Sequence, residues 1–293
     1  MMTKVTLLDG GMGQELVHRA GDRPTPLWST RVMLDHTGMV AGVHRDFAAA
    51  GATIATTNTY AIHHDRLTGT GLEAQFEALH RMALAEAKES GATRIAGSIG
   101  PLVASYRADV MPPYDFAVPK FEEVARLIGA DVDLILCETV VSIDHARSIL
   151  AGAKAAEKPI WIAFSVSDRD GTLLRSGEPL ADALSVVGIA EAVLVNCSAP
   201  EAIPAALDIL ATCGKPYGAY ANGFETITEG FLKDKSTVDA LAMRRDFTPD
   251  LYADHAMRWV DHGATIIGGC CEVSPAHIAE IASRLTAAGH TII

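Results

Sequence analysis

The most constraining feature of this sequence is a regular alternation of short apolar runs with longer segments of helical period. Eight such runs lie at residues 4–8, 53–57, 94–99, 133–138, 160–166, 192–197, 216–220 and 264–269. Near-continuous apolar strands that alternate with helices predict a parallel sheet whose two faces are both covered. Because eight β/α units follow one another without a break in composition, the pattern predicts a single-domain (β/α)8 TIM barrel over residues 1–293.

The segments between these runs carry helix start and stop signals. In residues 274–289, Ser274 is a suitable N-cap, Pro275 suits the first helical position and Gly289 suits the end. Apolar residues recur there at the spacing of one helix face, at Ile278, Ile281, Ala282 and Leu285. A doubly wound open sheet is the alternative fold, but it usually has fewer strands and a glycine-rich phosphate motif. The segment DGGMGQE after the first run lacks the glycine spacing of that motif.

Charge and cysteine content restrict the partners and the compartment. With 24 basic and 36 acidic residues, the net charge of −12 argues against nucleic acid and anionic membranes as partners. We expect no signal peptide, and no apolar stretch reaches the roughly 20 residues that a membrane span requires. Five cysteines in such a chain are typical of reduced thiols in a cytoplasmic protein, and not of a disulfide framework.

In a β/α barrel, functional residues gather at the carboxyl ends of the strands. Three of the five cysteines follow two such ends, Cys197 after the sixth run and Cys270 and Cys271 after the eighth. Because both ends lie on one rim, we expect the three thiols to face one another, and three thiolates can bind zinc with a fourth position open. Burial as small hydrophobic side chains is the alternative, and we favour it for Cys137 and Cys213.

Seven segments at or near the strand ends carry recognisable motifs. They read LLDGGMGQEL, PLWST, AGATIATTNTY, AGSIGP, ILCET, VLVNCSAP and IIGGCCEVSP. In this order they resemble the homocysteine S-methyltransferase family, which includes betaine- and S-methylmethionine-dependent enzymes and the first module of cobalamin-dependent methionine synthase. The Asn-Cys pair followed by Gly-Gly-Cys-Cys is the most specific part of the resemblance.

The resemblance implies a zinc-dependent barrel that methylates the thiol of homocysteine and gives methionine. Cys197, Cys270 and Cys271 would then be the ligands of Zn²⁺. Zinc would favour the deprotonated form of the bound thiol, which is otherwise a poor nucleophile at neutral pH. The partners implied are small molecules, homocysteine and a methyl donor.

The same resemblance implies a clamp for an amino acid. Asp9 and Glu138 would bind the ammonium group of homocysteine. The backbone around Gly10 and Gly11, with Ser98 nearby, would bind its carboxylate. A zwitterion requires acceptors for its cationic end and N–H donors for its anionic end, so these roles agree with the chemistry of the side chains.

The methyl donor is less determined. Aromatic faces hold sulfonium and quaternary ammonium groups, which makes Trp28 the best candidate and Tyr60 and Tyr220 weaker ones. Asn222 matches an asparagine that family members have after the seventh strand, so we include it among the substrate-binding residues. Gln14 stands where the family usually has threonine.

Two rim segments, residues 102–115 and 222–247, depart from the family pattern. Donor specificity is therefore left open among S-methylmethionine, S-adenosylmethionine, betaine, dimethylsulfoniopropionate and methylcobalamin. Segment 222–247 is long enough to act as a lid.

Three functions remain open at this point. The first is a stand-alone zinc methyltransferase with a small cationic donor. The second is a methyl-acceptor module that works with a separate cobalamin protein, and the third is a non-catalytic zinc- or thiol-binding barrel. Asp9 and Glu138 argue against the third, because metal binding alone has no use for an amino acid clamp. The sequence predicts no oligomeric state.

Overall fold

The eight predicted strands form a parallel barrel. The computed structural model describes residues 2–21, 27–225, 227 and 242–293. Its strands are β1 (Lys4–Leu7), β2 (Ile54–Thr56), β3 (Arg94–Ile99), β4 (Leu134–Val140), β5 (Ile160–Phe164), β6 (Ala192–Asn196), β7 (Tyr217–Ala221), β8 (Ile266–Gly269) and β9 (Thr291–Ile292). They are hydrogen-bonded in the order β2-β3-β4-β5-β6-β7-β8-β1-β9. A parallel bridge between Leu8 and Ile54 joins the end of β1 to β2, which closes the predicted barrel.

Helices cover the outside of this barrel. They are α1 (Met12–Ala20), α2 (Ser29–Asp35), α3 (Met39–Ala49), α4 (His64–Leu67), α5 (Phe76–Lys88), α6 (Tyr114–Gly129), α7 (Ile143–Ala153), α8 (Leu180–Ala183), α9 (Ile203–Leu210), α10 (Pro249–Asp261) and α11 (Pro275–Ala287). Helix α11 begins after Ser274, as predicted, and Gly289 follows its end with a φ of 82°. Within the described part of the chain, no helix combines the length and apolarity that crossing a membrane requires.

The period of two along each strand decides which side chains reach the inside of the barrel. Inside β4, Leu134 and Leu136 belong to the apolar cluster that fills the interior. Glu138 is the next residue on the same face. It lies near the carboxyl end of the strand, so its carboxyl group borders the apolar interior on the side of the cavity. Ser98 follows Ala96 of β3 by the same rule.

The ninth strand was not predicted. It is two residues long and pairs with β1, Thr291 opposite Lys4 and Ile292 opposite Val5. A strand of two residues is too short to show a periodic pattern of apolar residues, and its pairing with a strand almost 290 positions away leaves no local signal in the sequence. This strand lies at the amino-terminal half of β1, away from the strand ends that form the site.

Candidate functional site

A cavity of about 160 Å³ opens at the carboxyl ends of the strands. Most of the residues predicted for substrate and metal binding line it, namely Asp9, Gly10, Gly11, Trp28, Ser98, Glu138, Cys197, Cys270 and Cys271. Asn222 is buried directly after β7 and does not line it. Its Oδ1 accepts a hydrogen bond from the Phe224 amide (3.3 Å), and its Nδ2 has no hydrogen-bond partner among the described residues. The predicted lid falls largely on residues 226 and 228–241, which lie outside the described residues.

The three predicted metal ligands converge. The sulfur atoms of Cys197, Cys270 and Cys271 lie within 4.8 Å of one another. Cys197 and Cys270 are paired as a disulfide, where the sequence predicted reduced thiols, and Cys271 is a buried free thiol. Reduction of that pair would give three sulfur donors at one point, which is a ligand set suited to a thiophilic ion such as Zn²⁺. Burial raises the pKa of the Cys271 thiol to about 12, so its thiolate form requires a nearby cation.

Backbone pairing between neighbouring strands holds these cysteines on the rim. Cys197 directly follows β6, and its amide donates to the Tyr220 carbonyl of β7 (3.2 Å). Cys270 directly follows β8, and its amide donates to the Ala221 carbonyl (2.9 Å). Backbone hydrogen bonds therefore attach both cysteines to the end of β7, which lies between β6 and β8 in the sheet.

The glycines of the GGCC motif serve close packing. Gly269 does not have a positive φ, but a Cβ at this position would lie 2.1 Å from the Val273 side chain. The left-handed residue of this loop is Glu272, with a φ of 67°. A Cβ on Gly11, across the cavity floor, would lie 2.6 Å from the Cys270 carbonyl oxygen. Glycine thus lets the β1 and β8 loops approach backbone to backbone.

A largely but not fully buried ion pair holds the loop that carries Cys197. Arg175 and Asp168 both follow β5, and their side chains are 11% and 10% exposed. The guanidinium bonds both carboxylate oxygens (2.7 and 3.2 Å) and also donates to the Ser165 hydroxyl (2.8 Å) and the Cys197 carbonyl (3.0 Å). Cys197 has a φ of 48°, a conformation that a non-glycine residue keeps only where its surroundings impose it. This pair was not predicted from the sequence, since charged residues in a loop have no periodic pattern.

Two carboxylates face the cavity without a basic partner in the described part of the chain. Asp9 accepts hydrogen bonds from the amide and the hydroxyl of Thr56, both at 2.7 Å. Burial is the main cause that raises the pKa of Asp9 to about 7, with a contribution from the charge of Glu138 and an opposing one from Thr56. Burial likewise raises the pKa of Glu138. Two desolvated carboxyl groups of this kind favour a cationic ligand, which would restore their charged forms.

Glu138 is held in place by its neighbours. The Ser98 hydroxyl donates to one of its oxygens and the Tyr220 hydroxyl to the other (2.9 Å). The register between β4 and β5 shifts between Cys137 and Val140, and Thr139 within that bulge has a φ of 56°. Bulges of this kind re-aim side chains beside active sites. Tyr220, predicted only as a weak aromatic candidate for the donor, is therefore also a hydrogen-bond donor to the clamp.

The aromatic wall of the cavity is tied to the cysteine loop through Gln14. The Trp28 indole N–H donates to Gln14 Oε1 (2.8 Å), and Gln14 Nε2 donates to Glu272 Oε1 (2.6 Å). Trp28 also meets Tyr60 edge to face, with ring centroids 6.4 Å apart. The substitution at Gln14 was visible in the sequence, but its link between Trp28 and the loop after Cys271 was not.

Comparisons with known proteins agree on one family. The family described as "Homocysteine S-methyltransferase" matches residues 6–285. The homocysteine S-methyltransferase of Escherichia coli (strain K12) is 30% identical over 308 residues, which covers 96% of this chain and 95% of that protein. The homocysteine S-methyltransferase YbgG of Bacillus subtilis (strain 168) is 30% identical over 305 residues, with 94% and 93% covered.

A solved structure shows the same architecture. The metallated form of the homocysteine methyltransferase MmuM from Escherichia coli superposes with a TM-score of 0.79 at 26% sequence identity. The superposition covers 96% of each chain, so it includes the barrel and the rim that carries the cavity.

Proposed function

The chain belongs to the homocysteine S-methyltransferase family, and from this premise we propose that it transfers a methyl group from a small sulfonium or quaternary ammonium donor to the thiol of homocysteine, giving methionine. One observation carries the proposal: three cysteine sulfurs and two buried carboxyl groups share a single cavity. The cysteines match a thiol substrate, and the carboxyl groups match the ammonium group of an amino acid. The reactants are small molecules, and neither nucleic acid nor a membrane takes part.

In the proposal, the acceptor is held by both of its charged ends. Asp9 and Glu138 bind the ammonium group. That group supplies the positive charge that both carboxyl groups lack, because neither has a basic partner among the described residues. The backbone around Gly10, with Ser98 nearby, receives the carboxylate. The Gly11 amide already donates to the Val273 carbonyl (2.8 Å), so Gly11 contributes through the close approach of its loop.

The metal site is the second part of the proposal. Cys197, Cys270 and Cys271, in the reduced protein, would hold Zn²⁺, which when bound favours the deprotonated form of a substrate thiol. The buried pair of Arg175 and Asp168 keeps Cys197 turned toward the other two sulfurs. The need for reduced cysteines is consistent with the cytoplasmic location that we propose.

The donor lies against the aromatic wall. Trp28 and Tyr60 offer their faces to a methylated cation, Tyr220 closes the wall beside Glu138, and Asn222 supports the end of β7. During transfer, the homocysteine sulfur forms a bond to the methyl carbon as the bond from that carbon to the donor sulfur or nitrogen breaks. The electron pair of the broken bond stays on the donor, which leaves without its positive charge. Positioning and exclusion of water supply most of the remaining rate enhancement, and we assign no general base.

The test is methionine formation by the purified, reduced protein with homocysteine and a panel of donors. The panel contains S-methylmethionine, S-adenosylmethionine, betaine, dimethylsulfoniopropionate and methylcobalamin, and the zinc content is measured on the same preparation. We expect about one zinc per chain and turnover with at least one of the small cationic donors. Turnover with methylcobalamin alone would favour an acceptor module for a cobalamin protein. Zinc binding without any binding of homocysteine would favour a non-catalytic barrel.

A further inference from the structure

Arg66 is the one basic residue among the described residues that line the cavity. We propose that Arg66, together with Ser105, binds a carboxylate of the methyl donor. The donor would then be a zwitterion, a sulfonium or quaternary ammonium ion with a carboxylate a few bonds from the methylated atom. This inference rests on the proposed function and specifies the substrate class of the same cavity.

The guanidinium of Arg66 is held in place but not neutralised. Its Nε and Nη2 donate to the Pro101 carbonyl (3.3 and 3.0 Å), and Nη2 also donates to the Ser105 hydroxyl oxygen (3.3 Å). Arg66 makes no ion pair with any acidic side chain in the described part of the chain, although it is only half-exposed. The two neutral acceptors orient the planar group and leave its positive charge available to an anion, which an arginine binds in a fork geometry.

Ser105 adds a directed hydrogen bond beside that charge. Its oxygen lies 2.8 Å from the Tyr60 hydroxyl and accepts from Arg66. A serine hydroxyl has two acceptor positions and one proton. Either hydroxyl of the Tyr60–Ser105 pair can be the donor, and when Tyr60 and Arg66 both donate to Ser105, the Ser105 proton can point toward an acceptor in the cavity. A carboxylate is the acceptor that suits both a guanidinium and a hydroxyl.

The position of this pair relative to the aromatic wall defines the shape of the donor. The Arg66 guanidinium carbon lies over the Tyr60 ring, 5.8 Å from its centre, and the centre of the Trp28 ring lies 6.4 Å from that of Tyr60. A methylated cation against these rings would therefore lie a few ångströms from Arg66. Elsewhere in the cavity the ionisable side chains are carboxyl groups, thiols and tyrosine hydroxyls, so a donor carboxylate has no other basic side chain to bind among the described residues that line it.

The segment that supplies Ser105 has a constrained backbone. Residues 102–115 read LVASYRADVMPPYD. In this segment Val103 and Tyr106 have positive φ values of 63° and 65°. The strained backbone places Ser105 and Tyr106 on the cavity wall.

The experiment separates donor recognition from acceptor recognition. Arg66→Met removes the charge at similar length, Arg66→Lys keeps the charge without the fork, and Ser105→Ala removes the hydroxyl alone. Arg126→Met is the matched control, because Arg126 is an exposed arginine paired with Glu122 on α6. We expect Arg66→Met to raise the donor KM by about 10- to 100-fold, the range for a lost charge-assisted contact, with the homocysteine KM unchanged. Ser105→Ala should give a smaller rise in the same direction.

The donors themselves provide a second arm. Dimethylsulfoniopropionate and betaine are each compared with their methyl esters, which keep the methylated cation and lose the anion, by turnover and by calorimetric titration in the presence of homocysteine. We expect the wild type to prefer each acid over its ester, and Arg66→Met to lose that preference. Equal use or equal binding of acid and ester by the wild type overturns the inference, as does a folded Arg66→Met protein with an unchanged donor KM. Failure to form methionine from any donor would refute the proposed function instead. In that case the titrations still decide whether Arg66 selects carboxylates. If neither dimethylsulfoniopropionate nor betaine binds, the inference is overturned.

Discussion

Replacing Arg175 with methionine removes the guanidinium that holds the Cys197 loop. Four hydrogen bonds are lost, one to Ser165, one to the Cys197 carbonyl and two to Asp168. Asp168 then keeps two donors among the described residues, the amides of Ala199 (3.0 Å) and Ile227 (3.1 Å). Removing one partner of a fully buried ion pair typically costs about 3–5 kcal/mol, because the other charge is left uncompensated. Since both side chains here keep about a tenth of their surface exposed, we expect the free energy of unfolding to fall by about 3 kcal/mol, the lower end of that range.

The same substitution should weaken metal binding. Without Arg175, the Ser165 hydroxyl (3.2 Å) is the one side-chain donor left to the Cys197 carbonyl in the described part of the chain, and the left-handed conformation at Cys197 is less well supported. Loss of a residue that orients a metal ligand usually costs about 10- to 100-fold in affinity, which is the increase in the Zn²⁺ Kd that we expect. The measurement is competition with a chromophoric chelator in the presence of a reductant, alongside urea unfolding of the zinc-free protein.

Two variants calibrate this result. Arg175→Lys keeps the charge but cannot bond Asp168, Ser165 and Cys197 at once, so its zinc affinity should lie between those of the wild type and Arg175→Met. A double variant, Arg175→Met with Asp168→Asn, removes the uncompensated charge and should recover part of the lost stability. If folded Arg175→Met binds zinc as tightly as the wild type, the strand ends alone position Cys197 and the assigned role of the ion pair is wrong.

Three further predictions address the site itself. Cys270→Ser should lose zinc and methionine formation together, measured by elemental analysis and chromatography; full activity of a zinc-free protein would contradict the mechanism. Glu138→Ala should raise the homocysteine KM by about tenfold or more with the zinc content unchanged, and loss of zinc would show that its role is misassigned. Because burial raises the pKa of Asp9 from 3.8 to about 7, the folded protein binds a proton between these pH values that the unfolded chain has released. The stability of the ligand-free protein should therefore fall as pH rises from about 4 to 7, by up to about 4 kcal/mol from Asp9. Asp9→Asn should remove this part of the slope in urea unfolding across that range, and an unchanged slope would refute it.

The barrel and its strand ends were predictable because their determinants are periodic. Apolar runs separated by helices specify parallel strands, and parallel strands place all their carboxyl ends on one rim. That argument was enough to bring Cys197 toward Cys270 and Cys271, whose sulfurs the structure places within 4.8 Å. Alternation within β4 likewise places Glu138 above Leu136 at the same rim.

Features that depend on the conformation of loops were not predictable. The bulge at Thr139 and the left-handed φ of Cys197 arise from tertiary contacts that override local preference. The partners of Arg175 come from the two loops after β5 and β6, and no spacing in the sequence relates them. The disulfide between Cys197 and Cys270 also contradicts the prediction of reduced thiols, since strand ends that bring three sulfur atoms together also place two of them within bonding distance.

The two substrates of the proposed reaction therefore differ in how far the sequence reveals them. The groups assigned to homocysteine, Asp9, Glu138 and the cysteines, lie at strand ends, whose positions the register of the barrel fixes. The groups assigned to the donor come from connections between strands, with Trp28 before α2, Arg66 in α4 and Ser105 after β3. Loop positions depend on the residues of each loop, and relatives that share the strand ends can differ there. The acceptor can thus be inferred from motifs shared with a family, whereas the donor has to be inferred from contacts such as those of Arg66 with Ser105 and Tyr60.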